Sequence, residues 1–163
     1  MAQRWAIGLG DRLTSSKLVP RKIVKRELGL MIDAMAGLTG PMRREIRPIW
    51  KRIAEHYGRL GAARGLAAGE IVEEMQYLRE VLIRFLAPVL APMRPRQGMA
   101  LLLRLNQLVD SGVAMAVVGY TDALAATLVT SEDGTGQEIG MNPADIEKQV
   151  SGFESELALL ASI

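Results

Sequence analysis

The chain has 163 residues, 49% of them apolar, only 4% aromatic and none of them Cys, with a formal net charge of +2. That length is enough for one domain with its own core. The lack of thiols excludes a disulfide framework, a thiolate metal site and a cysteine nucleophile, and suits a reducing, cytoplasmic setting.

Charge is divided unevenly: residues 1–64 hold 14 Lys or Arg against 5 Asp or Glu, and the remainder holds 6 against 13. The basic half invites a nucleic-acid reading; the alternatives are that the two halves pack on each other or that the charges are simply solvated faces. No nucleic-acid motif accompanies the charge, so no nucleic-acid partner is expected. A mean hydropathy of +0.15 that comes from Leu, Ala, Val and Met rather than aromatics points to extra surface buried in an oligomer.

Residues 1–18 carry Trp5, Ile7, Leu9 and Leu13 among polar residues and are expected to form a short amphipathic arm. Asp11 and Arg12 interrupt them before an export signal is built. Gly8 and Gly10 lack the third glycine of a dinucleotide fingerprint and read as a break. Pro20 suits the first turn of a helix whose apolar face is Ile23, Leu28, Met31, Ile32 and Met35, ending at Gly37 or Gly40. A further helix opens after Gly40-Pro41, with Ile46, Ile49, Trp50, Ile53, Tyr57 and Leu60 at spacings of three and four. Pro48 must kink it or mark its start.

Gly65 follows this run, with Arg59 and Arg64 before it, and is expected to close the helix in a left-handed conformation. The next helix starts near Ala67 and buries Ile71, Met75, Leu78 and Leu82 while Glu70, Glu73 and Glu80 face water. The two form a hairpin. Pro88, Pro92 and Pro95 are expected to end the second helix in a stiff connection.

From Gly98 to about Leu128 the pattern is helical over about 45 Å. Its middle, Val113 to Val118, is apolar all round, and Gly112, Ala116 and Gly119 leave room for another backbone. Asp110 and Asp122 argue against a membrane span. The reading is a helix covered on both sides, with Gly112, Val113, Ala116, Val117 and Gly119 as a dimer interface. Residues 131–141 read as a flexible linker. Asn142, Pro143 and Asp145 then mark the start of an amphipathic C-terminal helix over 142–163.

Two blocks within this helical domain, 19–130, resemble a known family. The first is His56, Arg64 and Gly65 followed by Glu74, Tyr77, Leu78, Arg79 and Leu82. The second is Leu105-Asn106-Gln107-Leu108-Val109-Asp110 with Ala114, Ala116 and Tyr120. Together they resemble the amino-terminal domain of RsbR-type stressosome sensors and related sensor histidine kinases. The resemblance implies an all-α, globin-like bundle without haem, usually dimeric, that feeds a separate output domain. One departure is Ala67, where the family commonly has a Ser or Thr helix cap.

No catalytic constellation is present. His56 is the single histidine, too little for a metal or haem site, and is expected to make a structural hydrogen bond, which the resemblance places at Glu74. Glu73 and Glu74 point about 100° apart and form no facing pair. The serines lack a nucleophile-elbow context. Arg79 and Asp110, each beside apolar positions on different helices, are expected to form a buried ion pair that fixes the register or acts as a switch, so that His56, Glu74, Arg79 and Asp110 form the candidate structural and switch network. Thr130, Ser131 and Thr135 are candidate modification sites.

The expectation is a non-enzymatic, cytoplasmic sensor of bacterial signal transduction, of stress-response type, with no cofactor. It dimerises and passes a signal to a partner such as a STAS protein or a kinase. The alternative is a carrier whose methionines (Met31, Met35, Met75, Met99, Met115) enclose an apolar ligand.

Overall fold

The computed structural model describes residues 19–132 and 142–162. The proposed arm at 1–18 and most of the linker lie outside the described residues, as do the hydroxyls of Thr130, Ser131 and Thr135. Among the described residues there are five helices and no strand: α1 (Arg21–Gly37), α2 (Arg43–Ala63), α3 (Ala68–Leu90), α4 (Pro95–Glu132) and α5 (Pro143–Ala161). The chain is all-α.

Helix α2 is the centre of the bundle and touches each of the other four helices. Its faces carry Trp50, Ile53, Tyr57 and Leu60, each essentially removed from solvent. Around it α1 and α5 pack on one another, as do α3 and α4, and the most extensive contact of all is between α2 and α4. Burial of these apolar faces supplies the main stabilising term.

Local boundaries follow from local chemistry. Pro20 stands just before α1, where its carbonyl accepts the amides of Ile23 and Val24. Pro48 lies inside α2 without ending it. It is exposed, so water can serve the Arg44 carbonyl that loses its donor. Pro88 likewise lies within α3, on its exposed side, and the helix runs two residues beyond it. The expected three-proline break is therefore narrower: Pro92 occupies the turn, and Pro95 is the first residue of α4, where a missing amide costs nothing. At its other end α4 continues through 131 and 132, two positions assigned to the linker in the sequence reading.

The corner after α2 forms as expected. Gly65 has φ of 80°, the single positive value among the described residues. Its amide reaches the carbonyl of Ala62 at 2.9 Å, and the amide of Leu66 reaches that of Gly61 at 3.1 Å, the paired bonds of a Schellman ending. Ala67 offers no capping side chain to α3. Glu70 compensates, its carboxylate accepting the Ala67 amide at 2.7 Å. At α5 the Asn142 side chain accepts the amide of Ala144 at 3.1 Å, with Pro143 and Asp145 in the first turn.

The small residues of α4 meet α2 of the same chain. A Cβ at Gly58 would stand 1.8 Å from the Ala116 carbonyl oxygen, and one at Gly119 would stand 1.9 Å from that of Glu55. Gly112 lies under the ring of Trp50, whose indole nitrogen donates to Ser111 at 3.2 Å. Close approach of two backbones was expected here, but between subunits. Gly112, Ala116 and Gly119 are buried inside the protomer, and Val113 and Val117 are half-buried beside them. The expected interface is corrected accordingly: the seam Leu105, Val109, Gly112, Ala116, Gly119, Ala123 is the inner face of α4.

Candidate functional site

The four residues proposed as one network fall into three separate groups. His56 does not reach Glu74. Its Nδ1 lies 2.9 Å from Oε1 of Glu27 on α1, with both side chains buried. The reason is helical geometry: His56 looks toward α1 and α5, whereas the next residue, Tyr57, is turned by about 100° toward α3. Burial pushes the Glu27 carboxyl above its usual range, against the hydrogen bond and charge of His56, which pull it down. Neither Nε2 of His56 nor Oε2 of Glu27 has a hydrogen-bond partner among the described residues.

Glu74 belongs to a second group, in which Arg64 makes a two-pronged contact to its carboxylate, one prong at 3.2 Å, and the Tyr57 hydroxyl donates to it. Burial, followed by the neighbouring charge of Glu74, raises the Tyr57 hydroxyl well above its ordinary value. For Arg64 burial works to lower the pKa, but its contacts with Glu74 and Tyr57 outweigh it and the net direction is up. This group ties the last turn of α2 to α3 directly across the Gly65 corner.

Arg79 and Asp110 do pair, joining α3 to α4. The pair is not buried, since 63% of the Asp110 side chain is exposed, and screening by water makes it a weak tie.

The uneven charge of the sequence has a structural counterpart. Arg26 of α1 holds Glu154 at 2.7 and 2.9 Å, Ser151 at 3.0 Å and Glu147 at 3.3 Å, all on α5. Arg52 of α2 pairs with Glu156. The acidic last helix thus lies on the basic first two, and the hydrogen bond from Arg26 lowers the Glu154 carboxyl.

Between α2 and α5 runs a cleft of about 450 Å³, with Arg52, Glu55, His56, Arg59, Gln149, Gly152, Phe153 and Glu156 along it. Phe153 meets the His56 ring edge-on at 5.8 Å, and the Arg52 guanidinium lies 5.7 Å from the Phe153 centroid. A second cleft, of about 650 Å³, is mostly apolar and runs between α1, the start of α2 and the end of α5. None of the five methionines named above lines either cleft. Met31, Met35 and Met75 are packed in the core, while Met99 is 59% exposed. No group of three or more potential metal ligands occurs among the described residues.

The outer face of α4 leaves large apolar side chains open. Met99, Leu103, Val118, Leu124, Leu128 and Val129 are all exposed. Most share the side opposite the buried seam, in an apolar group at each end of the helix, Met99 with Leu103 and Ala114 through Val118 and Ala125 to Leu128, interrupted by the polar residues Gln107, Asp110 and Thr121. Residues Pro95–Val129 are long and apolar enough to cross a bilayer by length and composition.

No protein-family model, curated protein or solved structure matches the chain. Fold and geometry alone therefore bear on function.

Sequence reasoning missed Glu27, Tyr57 and Arg64 as members of polar groups. Glu27 could have been found, because it sits between Val24 and Met31 on the apolar face of α1, where a carboxylate needs a buried partner.

Proposed function

We propose that this protein is a helical sensor or adaptor domain that pairs with a second copy of itself through the outer face of α4 and signals through a partner protein. The observation that carries the reading is the set of large apolar side chains exposed on the outer face of α4, Met99, Leu103, Val118 and Leu128. Exposed apolar side chains gathered on one face mark an interaction surface, and a helix with a buried seam on one side and open apolar groups on the other is suited to join two bundles. The RsbR-type resemblance points the same way; Arg64 pairs with Glu74 and Arg79 with Asp110 within its motif blocks, while the contact it implied between His56 and Glu74 is replaced by one to Glu27.

Light scattering on the purified chain is the direct test. The expected result is a dimer that the double variant Leu103→Glu, Val118→Glu converts to a monomer with its melting temperature retained, since both positions are exposed in the protomer. A monomeric wild-type protein would overturn the reading, and flotation of the chain with lipid vesicles would assign that face to a membrane instead. A pull-down from native lysate with and without the double substitution then tests whether partner capture requires the dimer.

The apolar cleft beside Leu30, Met42, Ile46 and Leu157 supports a second reading, a carrier of a small apolar molecule. Solvent extraction of the purified protein followed by mass spectrometry tests it, and an empty extract would remove it.

A further inference from the structure

We propose that the cleft over His56 binds a small organic carboxylate, whose oxygen takes a hydrogen bond from Nε2 of His56 while the rest of its head group replaces Glu156 on Arg52. The assignment does not depend on how α4 is covered.

Glu27 and His56 are buried as a pair, and Oε2 of Glu27 has no partner among the described residues. A buried pair that carried a net negative charge would be strongly disfavoured. Two arrangements are net neutral: carboxylate with imidazolium, or carboxylic acid donating to a neutral imidazole at Nδ1. In both of them Nε2 carries a hydrogen. Burial, by driving the Glu27 carboxyl toward its protonated form, favours the same proton count. His56 therefore presents a donor, 1% exposed and without an acceptor among the described residues. An orphaned buried donor is uncommon in a folded protein, and because His56 lies along the cleft a ligand held there can supply the acceptor.

Arg52 and Arg59 along the cleft are each paired with a glutamate, Glu156 and Glu55 respectively. With Glu27 and His56 neutral as a pair, the cleft as a whole is neutral, which disfavours a dianion such as phosphate. A monocarboxylate is different, because it exchanges one for one with Glu156. Both partners in the Arg52–Glu156 pair are about half exposed, so that bond is held weakly against water. A ligand carboxylate that engages Arg52 gains the His56 donor as well, which Glu156 does not reach.

Phe153 forms an apolar wall beside His56, and Gly152 leaves space, for a Cβ there would meet no atom within 4 Å. Room beside an aromatic wall suits a ligand with a flat apolar body behind its carboxylate.

Because His56 is the single histidine, its ring nitrogens give unambiguous signals in protein labelled with ¹⁵N-histidine. The full chain is titrated with benzoate, with neutral benzamide and with inorganic phosphate. Benzoate is expected to move the Nε2 resonance in a saturable way, and the other two to leave it in place. Gly152→Leu should fill the cleft and abolish the shift while keeping the melting temperature, since the added side chain enters open space. Arg52→Gln should weaken benzoate about tenfold or more, as expected for a lost charge-assisted hydrogen bond. The proposal is overturned if benzoate gives no saturable shift, if benzamide or phosphate matches it, or if both variants bind benzoate as the wild type does.

Discussion

Gly58 is the position where one methyl group should do most damage. In Gly58→Ala the new Cβ would lie 1.8 Å from the Ala116 carbonyl oxygen, where real Cβ atoms essentially never come below 3.0 Å. The obstacle is backbone on the buried face of α4, with no flexible side chain to swing aside, so α2 and α4 must part by the difference of about 1.2 Å or more. A gap of ~1 Å forfeits up to about half the dispersion attraction of the atoms facing it. Overpacking of this kind costs about 3 kcal/mol at the upper end of its usual range, offset by about 1 kcal/mol from the better helix propensity of Ala. The net loss is about 2 kcal/mol, or a fall of roughly 4–8 °C in melting temperature for a chain of this size. Gly29→Ala in α1 is the control: it meets nothing within 4 Å and should gain up to about 1 kcal/mol. Thermal melts and urea unfolding on both variants decide the matter. Should Gly58→Ala melt at or above the Gly29→Ala temperature, the two backbones do not touch there. Gly119→Ala, which meets the Glu55 carbonyl across the same crossing, should cost less in a chain already opened by Gly58→Ala than alone.

Three further outcomes are expected. Gly65→Val should lose about 1–3 kcal/mol from backbone strain alone, because its φ is positive and an added Cβ meets no neighbour; Gly65→Asn should lose less in the same urea titration, and equal losses would point to a clash. Arg64→Met leaves Glu74 buried without its cation and should cost about 3–5 kcal/mol, whereas Arg79→Met, at a partly exposed pair, should cost about 0–1 kcal/mol; equal effects on unfolding midpoints would refute the distinction. In acid and neutral series the two carboxyls should act in opposite directions. Glu27 has a raised folded pKa, so its contribution is greatest below the unfolded value of 4.5 and declines as pH rises through the raised value. Glu154 has a lowered one, so its contribution is present above 4.5 and lost as pH falls through the lowered value. Subtracting the profiles of Glu27→Gln and Glu154→Gln from wild type should give slopes of opposite sign, and slopes of one sign would contradict the assignment.

Helices, their inward faces and the Gly65 corner were legible in the sequence because each is written locally. Ile71, Met75, Leu78 and Leu82 repeat at the helical period, and a glycine after Arg64 has few other uses. Partners were less legible. Gly112, Ala116 and Gly119 announce a close approach, yet nothing local says whether the approaching backbone belongs to the same chain, and the answer lay more than fifty residues upstream at Glu55 and Gly58. The same limit misdirected His56, whose neighbour in the helix, Tyr57, takes the partner expected for it. Pro88 misled for a different reason. A proline breaks a helix most severely where the freed carbonyl is buried, and Pro88, like Pro48, sits on the wet side.

The central place of α2 also sets the order in which the molecule can be completed during synthesis. Its apolar surface emerges early, but the helix that covers most of it ends at Glu132. At about 5–20 residues per second, a delay of some 70 residues leaves that surface uncovered for roughly 3–14 s. Over that interval the nascent chain carries Trp50, Tyr57 and the bare track of Gly58 without their cover, and it is then that a chaperone or a neighbouring nascent chain has its best access. Substitutions that loosen α4 on α2 should therefore lower the yield of folded protein in cells more than their effect on the finished molecule would suggest.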